Sequence, residues 1–205
     1  MSAEATKDDN AIDPGRRHFL VVATTTAGLI GVAATAVPFL ASWRPSARAK
    51  ALGQPVEVDI GKLDVGALMK VEWRGQAIYI VNRTPEMVAK LPANDPNLKD
   101  PQSENKDQQP PYVNPVTRSL KNHPELLVLV GVCTHLGCAP LDRFGPDAQL
   151  GASWPGGFYC PCHGSRFDLA GRVFKDVPAP DNLKVPPYKF VSDTLLMIGA
   201  DPGVA

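Results

Sequence analysis

The distribution of hydrophobic residues separates a long uncharged stretch near the N terminus from the rest of the chain. No charged side chain occurs from Phe19 to Trp43. At a rise of 1.5 Å per residue, roughly twenty such residues cross the hydrocarbon core of a bilayer as a helix. The three threonine hydroxyls at 24–26 can bond back to the preceding turn, so they do not prevent spanning. We therefore predict a single transmembrane helix over residues 18–43.

After the predicted helix, the pattern changes to short apolar or alternating runs separated by glycine, proline and polar residues. Such runs are typical of β-strands, and the 21 prolines of the chain disfavour long helices here. A polar segment, residues 84–122, interrupts the pattern and is interpreted as an insertion with short helices at 86–90 and 116–121 and a loop at 92–111. The predicted strands are 55–60, 68–73, 76–81, 126–132, 188–192 and 195–198.

Between the predicted helix and the β domain lies a short segment, residues 44–53, which is rich in alanine and has no strong apolar period. We interpret it as a hinge, and residues 54–205 as one mainly β head domain. The chain has 21 basic and 21 acidic residues. This balance gives no support for a nucleic-acid partner.

A pair of arginines precedes the uncharged stretch. Residues Arg16 to Leu20, RRHFL, resemble the twin-arginine export signal of proteins that take up a cofactor before they cross the membrane. Basic residues also follow the helix, so the positive-inside rule does not orient the chain by itself. If the arginines are an export signal, residues 1–17 stay in the cytoplasm and the helix crosses the inner membrane of a bacterium once. The head then lies in the periplasm.

A cleaved signal peptide is the alternative to a retained anchor. The residues Ala47-Arg48-Ala49 match the small-x-small pattern of cleavage sites. The uncharged stretch, however, is much longer than the ~7–15 residues of a signal-peptide core. Its length favours the anchor.

All four cysteines and two of the four histidines fall in two similar groups, CTHLGC at 133–138 and CPCHGS at 160–165. Each group places a thiol and an imidazole on a loop that glycine allows to turn tightly. Two irons bridged by two sulfides need four protein ligands, and two thiolates with two imidazoles carry less negative charge than four thiolates. Such a ligand set raises the reduction potential toward roughly −150 to +300 mV.

Two other sites use the same residue types. A zinc ion takes two thiolates and two imidazoles, although it does not account for six residues arranged in two similar halves. Two disulfides with uninvolved histidines also fit an exported protein. The residue types alone leave both alternatives open.

The two groups resemble the motifs Cys-x-His-x-Gly-Cys and Cys-x-Cys-His-x-Ser of Rieske proteins in cytochrome bc complexes. This resemblance implies an antiparallel Rieske-type head with a small cluster-binding subdomain at about 131–180. It implies one [2Fe–2S] cluster, with Cys133 and Cys160 on the inner iron. His135 and His163 would then bind the outer iron, which faces solvent.

The same resemblance gives roles to residues around the cluster. Cys138 and Cys162 would form a disulfide between the two loops, and Ser165 would hydrogen-bond a cluster sulfide. Many relatives have a tyrosine two residues after that serine, where this chain has Phe167. Because a phenyl ring donates no hydrogen bond, we expect a lower reduction potential. Residues 177–180, VPAP, resemble the proline loop that covers the cluster.

The resemblance also implies a function, that of the electron-transfer subunit of an oxidoreductase complex. His163 and His135 would be the catalytic residues, taking an electron and a proton from ubiquinol, with Leu136 in apolar contact at the quinol pocket. The head would swing on its hinge from a cytochrome b subunit to a c-type cytochrome subunit, contributing to proton translocation. A Rieske small subunit of an arsenite oxidase and a Rieske ferredoxin of an oxygenase system are the alternatives.

Overall fold

A computed structural model of the chain describes residues 13–202. Of the predicted cytoplasmic segment 1–17, residues 1–12 lie outside the described residues, and so do the last three residues of the head. The chain divides into two units, which meet between Lys50 and Ala51. This boundary falls within the segment predicted as a hinge.

The first helix, α1, extends from Pro14 to Ala41 and is the one described helix that is long and apolar enough to cross a membrane. The carboxylate of Asp13 caps its N terminus, and a proline occupies its first position, where its missing N–H costs nothing. These two residues start the helix before residue 18, so the arginine pair lies in its first turn. The hydroxyls of Thr24 and Thr25 donate to carbonyls four residues earlier, as predicted.

A second helix, α2, covers Ala47–Leu52 and so lies within the segment interpreted as a hinge. The side chain of Ser46 accepts a hydrogen bond from the amide of Ala49 at 3.1 Å. This bond satisfies one of the backbone N–H groups in the first turn of α2 that have no partner within the helix. A helix of six residues is marginal by itself in water. The segment is therefore ordered locally but has little intrinsic stiffness.

In the part of the chain that the structure describes, nine short strands form three antiparallel sheets of three strands. The first sheet, in spatial order, contains β1 (Val56–Asp59), β9 (Leu195–Ile198) and β8 (Tyr188–Phe190). The second contains β2 (Leu68–Trp73), β3 (Gln76–Asn82) and β4 (Leu126–Val130). The third contains β5 (Leu141–Arg143), β6 (Gly157–Tyr159) and β7 (Arg166–Phe167). The predicted mainly β, antiparallel fold is confirmed.

All six predicted strands are present, with ends that differ by at most two residues. The turn between β2 and β3 lies at Arg74 and Gly75, whose φ values of 53° and 71° match the primed turns that follow strand twist. Strand β4 is buried along its whole length, as its continuous apolar run predicted. Strands β5 to β7 were not predicted, because two or three residues are too few to show an alternating pattern.

The insertion at 84–122 contains one short α-helix, α3, at Pro85–Ala89, which confirms the helix predicted at 86–90. Thr84 caps this helix through its side chain. The predicted loop that follows contains two 3₁₀ segments, Leu91–Asn97 and Lys106–Gln108.

The helix predicted at 116–121 is wrong, because the structure has turns there. The side chain of Asn114 accepts from the amides two and three residues later, at 2.9 and 3.0 Å. Such local bonds compete with helix formation. Arg118 also has a positive φ of 52°, which no right-handed helix contains.

Three arginines, Arg83, Arg118 and Arg172, are almost fully buried. All three donate to the turn at 168–172 that follows β7. Arg83 and Arg118 reach carbonyl oxygens there at 3.1 to 3.3 Å, and Arg172 reaches the carboxylate of Asp168 at 2.8 Å. Burial lowers the pKa of Arg83 to about 10 and that of Arg118 to about 9, so both stay charged at pH 7. Charge-assisted bonds thus hold this turn in the interior of the head.

We expect Asp168→Ala to lower the free energy of unfolding by about 3–5 kcal/mol, because it leaves the buried guanidinium of Arg172 without this partner. Urea unfolding followed by circular dichroism measures the change. Asp193→Ala is the matched control at an exposed aspartate and should change it by less than about 0.5 kcal/mol. Equal effects of the two variants would contradict a special role for the buried carboxylate.

Candidate iron–sulfur site

Two loops with the same backbone hydrogen bonds carry the predicted ligand residues: loop 1 (residues 133–138) and loop 2 (residues 160–165). In each loop the first amide donates to the last carbonyl at 2.8 Å, and the glycine amide donates to the first carbonyl at 3.0 Å. The two glycines, Gly137 and Gly164, have φ values of 84° and 77°. Glycine is favoured there because a side chain strains this left-handed backbone.

The third sheet brings the two loops to the same end. Loop 1 precedes β5, whereas loop 2 connects β6 to β7. Because β5 and β6 are antiparallel and Leu141 pairs with Tyr159, the start of β5 lies beside the end of β6. Loops separated by more than twenty residues in sequence therefore become neighbours.

A disulfide between Cys138 and Cys162 joins the two loops, as the resemblance implied. The sulfurs of these two cysteines and of Cys160 lie within 4.8 Å of one another, a spacing that suits a metal ion. Because Cys138 and Cys162 are bonded to each other, only Cys160 of these three residues can offer a thiolate to a metal. Cys133 and Cys160 are free, so the alternative with two disulfides is not found here.

The two free thiols and the two predicted histidines differ in exposure. Cys133 and Cys160 are each 2% exposed, and burial is the main cause that raises the pKa of the Cys133 thiol. The rings of His135 and His163 are in edge contact, with centroids 4.8 Å apart. His163 is exposed and His135 half-buried. The thiols thus lie on the inner side of the site and the imidazoles on its outer side.

One imidazole nitrogen is left without a partner. The Nδ1 atom of His135 is buried and makes no hydrogen bond. A buried polar atom without a partner costs about 1–3 kcal/mol, unless it binds a group that the protein alone does not supply. Ligation of an iron by this nitrogen, next to two free thiols, would account for it. The residues present therefore fit a Rieske-type cluster.

Ser165 and the proline loop (residues 177–180) lie beside the thiols. The Ser165 hydroxyl is fully buried, hydrogen-bonds Cys133, and accepts from the amide of Ala179 at 3.1 Å. Phe167, the residue that replaces the usual tyrosine of the resemblance, is completely buried.

Two contacts to this region were missed from the sequence. The hydroxyl of Thr134 in loop 1 donates to the carbonyl of Asp181 at 2.7 Å. The ammonium of Lys99, in the insertion, donates to the carbonyls of Val177 and Ala179, each at 2.8 Å. Almost eighty residues separate Lys99 from the loop, so no local pattern could have indicated this contact.

Comparisons with known proteins agree with this site. Residues 6–46 match the family described as "Ubiquitinol-cytochrome C reductase Fe-S subunit TAT signal", and residues 101–188 match the "Rieske [2Fe-2S] domain". The domain match covers most of the insertion and both loops. It supports an iron–sulfur cluster over the zinc alternative.

Relatives match along nearly the whole chain. The "Ubiquinol-cytochrome c reductase iron-sulfur subunit" of Allochromatium vinosum is 57% identical over 192 residues, 93% of this chain and 91% of that protein. The protein of the same name from Bradyrhizobium diazoefficiens is 42% identical over 195 residues, 95% of this chain and 99% of that protein. A chain of the solved "Hyperthermophilic respiratory Complex III" is 24% identical, with a TM-score of 0.44 over 85% of this chain and 98% of that one.

Neither of the two named relatives is an arsenite oxidase subunit or a ferredoxin, the alternatives that the motifs left open. The Rieske domain match supplies the cofactor class, one [2Fe–2S] cluster. The extent and level of identity establish the family. This chain belongs to the Rieske-type iron–sulfur subunits of ubiquinol–cytochrome c reductase.

Proposed function

We propose that this chain carries electrons from ubiquinol to a c-type cytochrome within a cytochrome bc complex, an oxidoreductase. The observation that carries the proposal is the combination of two buried free thiols with two contacting imidazoles, one of which has an unbonded buried nitrogen. The relatives that match nearly the whole chain are subunits of ubiquinol–cytochrome c reductase, which supports the same substrate and class of acceptor.

Four side chains are the proposed iron ligands. Cys133 and Cys160 would bind the inner iron, where their burial excludes water. His135 and His163 would bind the outer iron at the more exposed side. When bound, such a cluster accepts one electron at a potential that imidazole ligation raises. Ser165 would donate a hydrogen bond to the cluster, which raises the potential further.

The two histidines are also the residues proposed to contact ubiquinol. Because Nδ1 of His135 is the buried nitrogen, its Nε2 is the one left for a quinol hydroxyl. The exposed ring of His163 offers a second nitrogen. A ring nitrogen that accepts the hydroxyl proton couples proton and electron removal from the quinol. Leu136, which follows His135 in loop 1 and is 71% exposed, would contact the apolar part of the substrate.

We further propose a single-pass protein of the inner membrane, with α1 as its anchor and the head in the periplasm. The export-signal match over residues 6–46 and the length of α1 support the anchor. A disulfide persists in an oxidising compartment, which supports a periplasmic head. The proposed partners are the cytochrome b and c-type cytochrome subunits of the same complex.

The direct test is an electron paramagnetic resonance spectrum of the full chain, purified in detergent with its cluster, after ascorbate and then after dithionite. We expect a rhombic [2Fe–2S] signal with ascorbate alone, because histidine ligation raises the potential. A signal that requires dithionite would indicate a ferredoxin-like role instead. Bound zinc without any signal would refute the iron–sulfur function.

Substitution of the proposed ligands should remove the cluster while leaving the fold. His135→Gln and His163→Gln each delete an iron ligand, so the affinity for the cluster should fall by more than the roughly 10–100-fold loss that changes outside the ligand set cause, and little iron should remain bound. Iron analysis and the resonance signal measure the loss. His123→Gln is the matched control, because His123 stacks on Phe190 outside both loops. Normal iron content in the two ligand variants would contradict the assignment.

Stiffening the proposed hinge should slow electron transfer between the partners. In the double variant Ala47→Pro, Ala49→Pro, the first proline occupies the first position of α2, where proline is tolerated, and the second also removes the amide that donates to Ser46; both restrict the backbone there. We expect slower quinol oxidation by the assembled complex with an unchanged cluster spectrum. Unaltered turnover would remove head movement from the proposal.

A further inference from the structure

The proline loop has few hydrogen bonds of its own with which to hold its position. Pro178 and Pro180 have no N–H. Between them, the amide of Ala179 is used by the buried hydroxyl of Ser165, at 3.1 Å. The position of this loop therefore depends on groups that reach it from other segments.

Lys99 is such a group. Its ammonium donates to the carbonyls of Val177 and Ala179, each at 2.8 Å, and these carbonyls flank the peptide whose N–H reaches Ser165. Within residues 13–202, no carboxylate lies within 4.0 Å of this ammonium. Within the described residues, its hydrogen bonds therefore go to the two carbonyls rather than to an acidic side chain.

The backbone fixes Lys99 in front of the loop. Its amide donates to the carbonyl of Val173 at 3.0 Å, and Leu98 forms an isolated β-bridge with Phe174. The chain then runs from this bridge directly into the proline loop. The main chain of Lys99 therefore bonds the segment just before the proline loop, and its side chain bonds the loop itself.

The contacts continue from the loop to the proposed cluster site. Ser165 has a single O–H, and its oxygen already accepts from Ala179, so the proton is left to donate. The hydroxyl hydrogen-bonds Cys133, one of the proposed ligands. Movement of the loop would therefore change the orientation of a donor at the cluster.

We infer that Lys99 is a positioning residue that raises the reduction potential of the cluster by holding the proline loop against Ser165. The inference rests on the proposed ligands. Oriented donors to sulfur stabilise the reduced cluster, which carries one more negative charge than the oxidised one. Without the ammonium, the loop loses two charge-assisted bonds, and the donor at Ser165 is less well oriented.

The test compares Lys99→Met with the wild-type chain, both loaded with the cluster, in a redox titration followed by electron paramagnetic resonance. We expect the equilibrium constant for one-electron reduction to fall about tenfold in the variant, which is about 59 mV. Hydrogen exchange at the Ala179 amide should also become faster in Lys99→Met. A loop that is held less firmly exposes this amide, which otherwise donates to Ser165, to solvent more often. Lys99→Arg keeps the charge and the donors and should restore most of the potential.

Lys175→Met is the matched control. The ammonium of Lys175 also bonds a carbonyl, that of Pro96 at 2.8 Å, and the residue lies just before the loop without bonding to it. Lys175→Met removes the same charge as Lys99→Met but no bond to the loop. The reduction potential of the cluster in Lys175→Met should therefore stay near the wild-type value. Equal shifts in the two methionine variants would overturn the positioning role and leave a charge effect only.

An unchanged potential in Lys99→Met, with a normal wild-type signal, would overturn the inference while leaving the proposed function intact. A wild-type chain without an ascorbate-reducible signal would instead overturn the proposed function, and the role of Lys99 with it. Thermal unfolding checks that Lys99→Met is folded, which we expect because the side chain of Lys99 is exposed.

Discussion

The disulfide between Cys138 and Cys162 is the constraint on which the arrangement of the site depends. The third sheet, whose strands have only two or three residues, offers few hydrogen bonds to hold two loops together. The covalent bond joins them where the ladder ends. It also divides the cysteines into two classes, because it consumes two sulfurs and leaves two buried thiols free. The contact between the two histidine rings follows from the same closure of the loops.

Cations from distant segments hold the rest of the cluster subdomain in place. Arg118 and Lys99, both from the insertion, donate to backbone carbonyls of the turn at 168–172 and of the proline loop. A guanidinium offers five donors in a fixed fork, so one side chain can satisfy several carbonyls of an irregular turn. The insertion therefore provides the supporting contacts that a larger sheet would otherwise supply.

The anchor and the head are built by different physical rules. In α1 the backbone hydrogen bonds run within the helix except at its ends and at Pro38, which has no N–H, and threonine hydroxyls bond back to the same helix, as suits a lipid environment. The head instead relies on sheets, a disulfide and buried charges. Between them lies α2, too short to be a rigid rod by itself.

The sequence by itself determined the anchor, the six longer strands and the residue types of the site, because each depends on neighbours that are close along the chain. An uncharged run, an alternating run and a motif of six residues are local patterns. The tertiary structure alone decided the order of the strands, the burial of Cys133 and Cys160, and the unpartnered nitrogen of His135. It also revealed the contact of Lys99 with a loop almost eighty residues away. Burial and long-range hydrogen bonds depend on which segments meet after folding, and no local pattern contains that information.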